Sequence, residues 1–430
     1  MATLGPATGS LDQIGALIAA GVDVFRLNFS HQTHKEHGER ISMIRRLSGP
    51  RPIAILQDLC GPKFRLREPL QGRPGELVEL TLPATVKPCD PVLLADGTMQ
   101  LEVVEALGGT RFRARVIVGG DLGVGKGINL PSTHLDIPSL TSKDREDLKF
   151  GVAQRVDFVA LSFVRRASDL DEVKATGVPV IAKIEKPEAL QNLEAIVRAA
   201  DGVMVARGDL GVEIPIERVP VVQKQTIALA NRLGKPVITA TQMLRSMVDS
   251  PIPTRAEATD VANAVLDGTD AVMLSEETAI GRYAVESVRM MDRILAQAEP
   301  LLAPRRDDPG PAPEDVIADM ACEAAERVGA KAIVVPTASG STARRIARHR
   351  PRIPIIALTA SEEVRRRLTL VWGVTTQPAP WQAGSHEVLE RFREPVRASG
   401  LVKAGDPVVV TAGWPFAKPG ITNLVHITTA

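Results

Sequence analysis

Eight times along this chain a short apolar run ends in polar residues, and most of the runs lead into a stretch whose apolar residues recur at helical spacing. The runs are MATLG (1–5), VDVFRLNF (22–29), PIAILQDL (52–59), VDFVALSFV (156–164), PVIAKIE (179–185), DGVMVARGD (201–209), KPVITATQM (235–243) and DAVMLSEE (270–277). Runs this continuously apolar have no face to give to water, so they belong in a parallel sheet covered on both sides, and eight such units close on themselves as a (β/α)₈ barrel. The helices between them carry start signals. Ser10 with Gln13, and Thr254 with Glu257, have capping-box spacing, in which each side chain takes up an orphan amide at the helix start. Leu11, Ile14, Leu17 and Ile18 then give the first helix one apolar face. Aromatic residues make up only 3% of the chain, so the core has to be built from Ala, Val, Ile and Leu, which suits the same architecture.

The rhythm breaks between the third and fourth runs. Residues 63–126 lack long helical periodicity and are rich in Gly, Pro and alternating Val, Leu and Thr, the pattern of a small β domain inserted into the barrel. After Leu301 the stretch APRRDDPGPAPED (303–315) reads as a linker, and the helix ACEAAERVG and strand KAIVVPT (331–337) begin an open α/β sheet. The expected division is a barrel over 1–62 and 127–300, an inserted β domain over 63–126 and a C-terminal α/β domain over 301–430. A formal net charge of +1 supplies no field that would draw the chain to nucleic acid or an anionic membrane. Cys60, Cys89 and Cys322 have no CxxC spacing, which argues against a zinc site or a disulfide scaffold and for a reducing cytoplasm. No apolar run approaches the roughly 18–20 residues that span a bilayer, and Met1 opens onto a strand-like segment without a basic leader, so a soluble, unexported protein is expected.

Barrels carry their working groups where the strands end. The polar residues ending these runs are Arg26 and Asn28; Asp58; Ser162; Lys183 and Glu185; Arg207 and Asp209; Thr241; and Ser275 with Glu277. Each alone is an ordinary loop residue; together they converge on one rim. Glu185 and Asp209 end adjacent strands, and two carboxylates with room for water and substrate oxygens suit Mg²⁺ or Mn²⁺. Lys183 lies two residues from Glu185, on the same side of its strand. A structural ion pair between those two is the alternative to a site. A cation beside a metal implies an anionic substrate, and phosphoryl transfer asks mainly for such positioning and charge neutralisation.

The segments RLNFSH (26–31), GPKFR (61–65), KGINLP (126–131), AKIEK (182–186), MVARGDLGVEIP (204–215), KPVITATQML (235–244) and PTRAEATDVANAVLDGTDAVMLSEETA (253–279) occur in the order seen in pyruvate kinases. The chain resembles that family over almost its whole length. The resemblance implies a barrel with a mobile β-barrel lid, a C-terminal regulatory domain, phosphoenolpyruvate and ADP/ATP as ligands, a divalent metal and a homotetramer. Carried over by motif, it makes Lys183 the residue that stabilises the transferring phosphoryl group, and Glu185 and Asp209 the metal ligands. Gly208 and Asp209 would meet the substrate carboxylate, Thr241 the enolate carbon and Arg26 the phosphate. Arg65, Lys126 and His31 would contact the nucleotide, the first two at the hinges of a lid that closes over ADP and excludes water. TASGST (337–342), Thr337 to Thr342, is similar to the family's sugar-phosphate effector loop, and TAGWPFAKPGITN (411–423), with Trp414, would be its partner turn.

Several positions depart from the family pattern. Its usual Asp-Thr-Lys-Gly-Pro-Glu is here Asp58, Leu59, Cys60, Gly61, Pro62 and Lys63. Asn28, Ser30 and Asp58 match the family's K⁺ ligands, and the Lys63 ammonium, where the family has Glu, would supply the monovalent charge, so K⁺ is not expected to be required. A solvent-facing Lys63 is the alternative. Cys60 reads as an inert thiol before it reads as a sensor, and Glu276 stands where most members have Gly with no account from sequence. GDLGVGKG (120–127) has P-loop spacing as far as its Lys, but Gly127 replaces the metal-binding Ser or Thr. A metal-dependent phosphoenolpyruvate/pyruvate aldolase or lyase, or a weakened sugar-phosphate sensor, are the competing functions. The nucleotide clamp of Arg65 and Lys126 tells against the first, and the intact set of Lys183, Glu185, Asp209 and Thr241 against the second.

Overall fold

In the computed structural model, which describes all residues except 83, 85, 132, 134–136, 306–309, 380–390 and 414–420, each of the eight apolar runs is a strand. They are β1 (Ala2–Leu4), β2 (Val24–Asn28), β3 (Ala54–Asp58), β12 (Phe158–Leu161), β13 (Val180–Ile184), β14 (Gly202–Ala206), β15 (Val237–Ala240) and β16 (Ala271–Met273), hydrogen-bonded in that order and all parallel. The sheet closes where Ala2 bridges Leu274, with Thr3 N donating to Leu274 O at 3.0 Å and Leu274 N to Met1 O at 3.0 Å. Because side chains alternate, every second residue points into the barrel. Val24, Ala54, Leu56, Phe158, Ala160, Ile181, Met204, Ile238, Ala240 and Met273 fill the interior, and Leu370 of the C-terminal sheet domain packs with them from below. The outward residues, among them Phe25, Leu27, Ile55, Val159, Ala182 and Val203, pack under the helices. Two residues further along the inward faces stand Arg26, Asp58, Ser162 and Lys183, so the site is the polar continuation of the barrel plug.

The inserted segment forms β4 (Phe64–Arg65), β5 (Leu70–Gly72), β6 (Leu77–Thr81), β7 (Pro91–Leu94), β8 (Met99–Gly108), β9 (Arg111–Val118), β10 (Gly120–Leu122) and β11 (Gly127–Asn129). Six of these make a sheet in the order β4-β11-β7-β8-β9-β6, and β10 pairs with β5. Its core is its own, built on Leu80, Val92, Leu94, Leu101, Phe112 and Val116. Since β11 pairs with both β4 and β7, the inserted sheet runs on to Asn129, past the boundary expected at 126. The P-loop spacing at 120–127 is strand and turn rather than a loop opening a helix. Downstream, β17 (Ala332–Pro336), β18 (Ile355–Thr359), β19 (Val374–Pro378), β20 (Pro407–Ala412) and β21 (Leu424–Thr429) form a sheet ordered β19-β18-β17-β20-β21, parallel except for the last pair. Thr254 and Glu257 form the full capping box, whereas at Ser10 only half forms: its hydroxyl accepts from Gln13 N, with no reciprocal bond from the Gln13 side chain described. Among the described residues no helix is long and apolar enough to cross a membrane.

Carboxylates staple the lower end of the barrel. Asp157, Asp201 and Asp270 each precede a strand and accept the backbone amide of the neighbouring strand's start: Ile55 N at 2.8 Å, Val180 N at 2.9 Å and Val237 N at 3.0 Å. The C-terminal domain grips two of the same residues. Arg366 Nε reaches Asp157 at 2.7 Å, and Arg350, only 1% exposed, bonds Asp270 at 3.0 Å, Asn231 Oδ1 at 2.6 Å and Gly268 O at 2.7 Å under the Trp372 ring. A buried charge whose partner is deleted is left uncompensated. Arg350→Ala should therefore cost about 3–5 kcal/mol, read as a lower denaturant midpoint, whereas truncating the exposed Arg198, paired among the described residues with Glu194 on its own helix, should cost less than about 1 kcal/mol.

Candidate active site

Lys183 is the centre of the upper end. Its Nζ donates to Ser162 Oγ at 2.7 Å and pairs with Glu185 Oε1 at 2.8 Å and Asp58 Oδ1 at 3.3 Å. Ser162 passes the chain of bonds to Leu59 O at 2.8 Å, and Arg26 Nε meets the other oxygen of Asp58 at 2.6 Å while its NH1 meets Thr3 Oγ1 at 3.2 Å. Burial opposes a charged lysine, but Asp58, Glu185 and Asp209 outweigh it and hold the Lys183 pKa above its ordinary value, so it is an ammonium at any working pH. Burial likewise opposes ionisation of Asp58, and Lys183 and Arg26 overcome it to hold that pKa down. At Glu185 burial prevails: the pKa is raised by desolvation, with Lys183 pulling against it and Asp209 adding to it. The ion pair weighed from sequence does form, and it is one edge of a larger cluster.

Lys63 takes a carboxylate of the cluster as its partner. Its ammonium lies 3.0 Å from Asp209 Oδ1, and no described bond joins it to Asn28, Ser30 or Asp58. Asn28 instead accepts from Ser30 N at 3.1 Å. Lys63 is thus paired with Asp209, its side chain 29% exposed. Burial raises the Asp209 pKa, but Lys63 and then Lys183 bring it below the usual value.

The cluster thus balances three cations, Arg26, Lys63 and Lys183, against three carboxylates, Asp58, Glu185 and Asp209. Glu185 and Asp209 lie close enough for one charge to raise the other's pKa. The buried Glu185 Oε1 and Asp58 Oδ1 atoms have Lys183 as an ion-pair partner without an aligned hydrogen bond. Among the described residues no three His, Cys, Asp or Glu gather as a metal cage. Two carboxylates completed by substrate oxygens and water fit Mg²⁺ or Mn²⁺.

On the same rim, Thr241 and Gln242 follow β15 with φ of +68° and +53°, a left-handed pair unusual for residues with a Cβ and worth about 1–3 kcal/mol of strain each. Arg207 holds them there, donating to Ala240 O at 3.1 Å and Thr241 O at 2.7 Å while Asp260 at 2.7 Å fixes the guanidinium. The Thr241 hydroxyl accepts from Gly208 N at 2.8 Å and donates to Ala240 O at 2.7 Å, so the Gly208 amide faces Thr241. Glu277 ties the loops after β15 and β16 through Leu244 N at 2.9 Å and Ser275 N at 2.7 Å. Glu276 pairs with Arg245 between the same two loops, which supplies the physical account that the sequence lacked. Asp260 and Thr3 were missed by sequence reasoning; neither ends an apolar run at the upper rim.

Arg65 and Lys126, 61 positions apart, become neighbours where Arg65 registers with Gly127 across β4 and β11; both are exposed, and Arg65 NH1 donates to Gly125 O at 2.9 Å. His31 is exposed beside them, its pKa lowered by desolvation and by Arg65, Arg26 and Lys63. At Thr337 to Thr342 the turn is tied by Gly340 N to Thr337 Oγ1 at 2.9 Å and by Thr342 to Thr422 at 2.7 Å. Trp414 lies outside the described residues. Cys60 is half-buried, Cys89 exposed and Cys322 buried with its thiol pushed up to about 12 by desolvation; none is in a disulfide.

The model of the pyruvate kinase barrel domain matches residues 1–81 and 75–288, and that of the pyruvate kinase alpha/beta domain matches residues 315–428. A pyruvate kinase of Geobacillus stearothermophilus is 45% identical over 99% of this chain and 79% of its own length. Pyruvate kinases of Agrobacterium vitis and Methylorubrum extorquens are 44% and 43% identical, each over 99% of this chain and 95% and 96% of their own lengths.

The segment carrying Asn28, Ser30 and His31 is anchored by His37, which stacks on Phe29 at 4.0 Å and donates from Nε2 to His31 O at 3.0 Å. Burial lowers the His37 pKa from 6.5 to about 4. The unfolded chain therefore binds a proton that the folded chain refuses between those values, so stability is full above pH 6.5 and falls as the pH drops toward 4. The slope of unfolding free energy against pH across this window should flatten in His37→Phe.

Proposed function

The chain belongs to the pyruvate kinase family, and from that premise we propose how its own residues carry the reaction. It is a kinase that moves the phosphoryl group of phosphoenolpyruvate onto ADP, leaving pyruvate and ATP. Arg26 and Lys183 bind the phosphoryl oxygens from one side of the barrel mouth. Asp58 keeps both pointed there, since it bonds each of them. Lys183 stays charged through the transfer and stabilises the oxygens as negative charge spreads over them. When bound, Mg²⁺ or Mn²⁺ would be held by Glu185 and Asp209 and would supply further neutralisation of phosphoryl and enolate oxygens. The substrate carboxylate is placed against Gly208 and Asp209 at the start of the helix Arg207–Glu213. Docking there takes over the Gly208 amide and frees the Thr241 hydroxyl to pass a proton, directly or through water, to the enolate carbon.

The observation that carries this reading is the placement of Lys183 among Asp58, Ser162 and Glu185 at the top of the barrel plug. Arg65, Lys126 and His31 form the nucleotide side of the cleft, with the inserted sheet, residues 63–126 and its last strand, as a lid that shuts over ADP and keeps water from the phosphoryl group. Lys63 on Asp209 supplies a fixed monovalent charge, which supports turnover without K⁺. Thr337 to Thr342 remains the place for a sugar-phosphate effector, and a homotetramer in the cytoplasm is the setting, in keeping with three unpaired cysteines. An aldolase or lyase would have no use for the nucleotide side of the cleft, and a sensor none for a charged, fully paired Lys183.

Pyruvate release from phosphoenolpyruvate, ADP and Mg²⁺ tests the reading. The purified chain should turn over with K⁺ rigorously omitted, and adding K⁺ should leave the rate unchanged. Lys183→Met should lower kcat by about 10²–10³ or more, the loss expected when one preorganised stabilising group is removed. Absence of turnover after K⁺ and sugar phosphates are both supplied would overturn the kinase.

A further inference from the structure

The chain passes between barrel and lid twice, and both crossings grip the same short helix, Arg207–Glu213. On the way in, Lys63 bonds Asp209 near the helix start. On the way out, Asn129, the last residue of β11, donates from Nδ2 to Glu213 Oε1 at 2.9 Å at the helix end. Between them the β7–β8 turn also comes close to the helix, a Cβ built on Gly97 standing 3.7 Å from Val212 Cγ1. Glu213 is held from the barrel side by Lys186, whose Nζ lies 2.7 Å from the same Oε1 and 5.5 Å from the centre of the Phe163 ring. Phe163 in turn donates its amide to Glu185 Oε2 at 2.9 Å.

All three polar groups are nearly buried: Asn129 is 8% exposed, Lys186 7% and Glu213 6%. A buried amide, ammonium and carboxylate are expensive to assemble and lose most when one is removed. The kinase mechanism uses none of them. Glu213 Oε2 has no hydrogen-bond partner among the described residues, so both partners of this carboxylate converge on Oε1.

We propose that Glu213, clamped between Asn129 and Lys186, is a positioning residue that couples the lid to the helix whose start receives the substrate carboxylate. The inference rests on the kinase reading. A lid drawn down by ADP pulls on Asn129 and sets the helix for phosphoenolpyruvate, and a helix set by phosphoenolpyruvate holds the lid for ADP. Such linkage is reciprocal by thermodynamic necessity.

Initial rates over a matrix of phosphoenolpyruvate and ADP concentrations, with Mg²⁺ saturating, measure the coupling as the factor by which each substrate lowers the apparent KM of the other. The wild-type factor should fall in the roughly 5–150-fold range, and Asn129→Ala should bring it to about 1 with kcat at saturation much less affected. Asn129→Asp alone sets two carboxylates together and should also lose coupling. Combined with Glu213→Gln, in which amide and carboxylate exchange sides, it should regain it. A merely structural contact predicts a lower melting temperature and lower kcat with the factor intact. If the wild type turns over and its factor survives Asn129→Ala, or if the exchanged pair restores stability but not the factor, the coupling is wrong while the kinase stands. A wild type that does not turn over overturns the kinase reading and the coupling with it.

Discussion

A buried positive charge organises the upper end of the barrel. Lys183 sits where strand alternation directs it, one inward position above the apolar plug residue Ile181, and an ammonium there is tolerable only if it is paired. Asp58 and Glu185 provide the pairing, Asp58 recruits Arg26, and Lys63 answers Asp209. The outcome is a site that is neutral in sum and intensely polar in detail. A highly charged anion enters such a site at low cost only with a cation beside it, which is the electrostatic reason that a divalent metal and a phosphorylated substrate belong together here. Preorganised charges of this kind are worth most where water is excluded, and the inserted sheet meets the rim through Lys63 and Asn129.

The lower end solves a different problem with the same residue type. There aspartates accept strand amides at Ile55, Val180 and Val237, replacing the bonds that a parallel strand start leaves unmade. Two of those aspartates also receive Arg350 and Arg366 of the C-terminal domain, and Leu370 completes the apolar plug. The domain that carries the Thr337 to Thr342 turn is therefore fastened to the strand starts, and strands β12 and β16 run from those fastenings toward the site. Stability and chemistry are kept at opposite ends of the same eight strands, as barrels generally divide them.

The eight strands were legible because a parallel strand covered on both faces leaves a near-continuous apolar run that no loop imitates. The rim residues were legible because the run simply stops at them: Asp58 after AIL and a Gln, Lys183 after VIA. The carboxylate that Lys63 meets was not legible for a physical reason. A long flexible ammonium goes to whichever carboxylate is nearest in space, and Asp58 already has Arg26 and Lys183, leaving Asp209. Glu276 had no explanation until Arg245 was found opposite it, because ion pairs between loops after different strands have no signature in spacing. The half-formed cap at Ser10 shows that spacing permits a reciprocal bond without compelling it.

By itself, then, the sequence determined the barrel, the interruption after its third strand, the open sheet at the end and the ring of polar residues on one rim, since each follows from alternation and local chemistry within a few residues. What it left open was decided by the closing of the barrel and the docking of its neighbours: which carboxylate each cation meets, which way the Gly208 amide faces, how Arg207 holds Thr241 in left-handed backbone, and that both crossings into the inserted sheet hold one helix. Those are contacts between residues tens to hundreds of positions apart. Their energies depend on distance and burial in three dimensions, quantities that the order of residues along a chain does not contain.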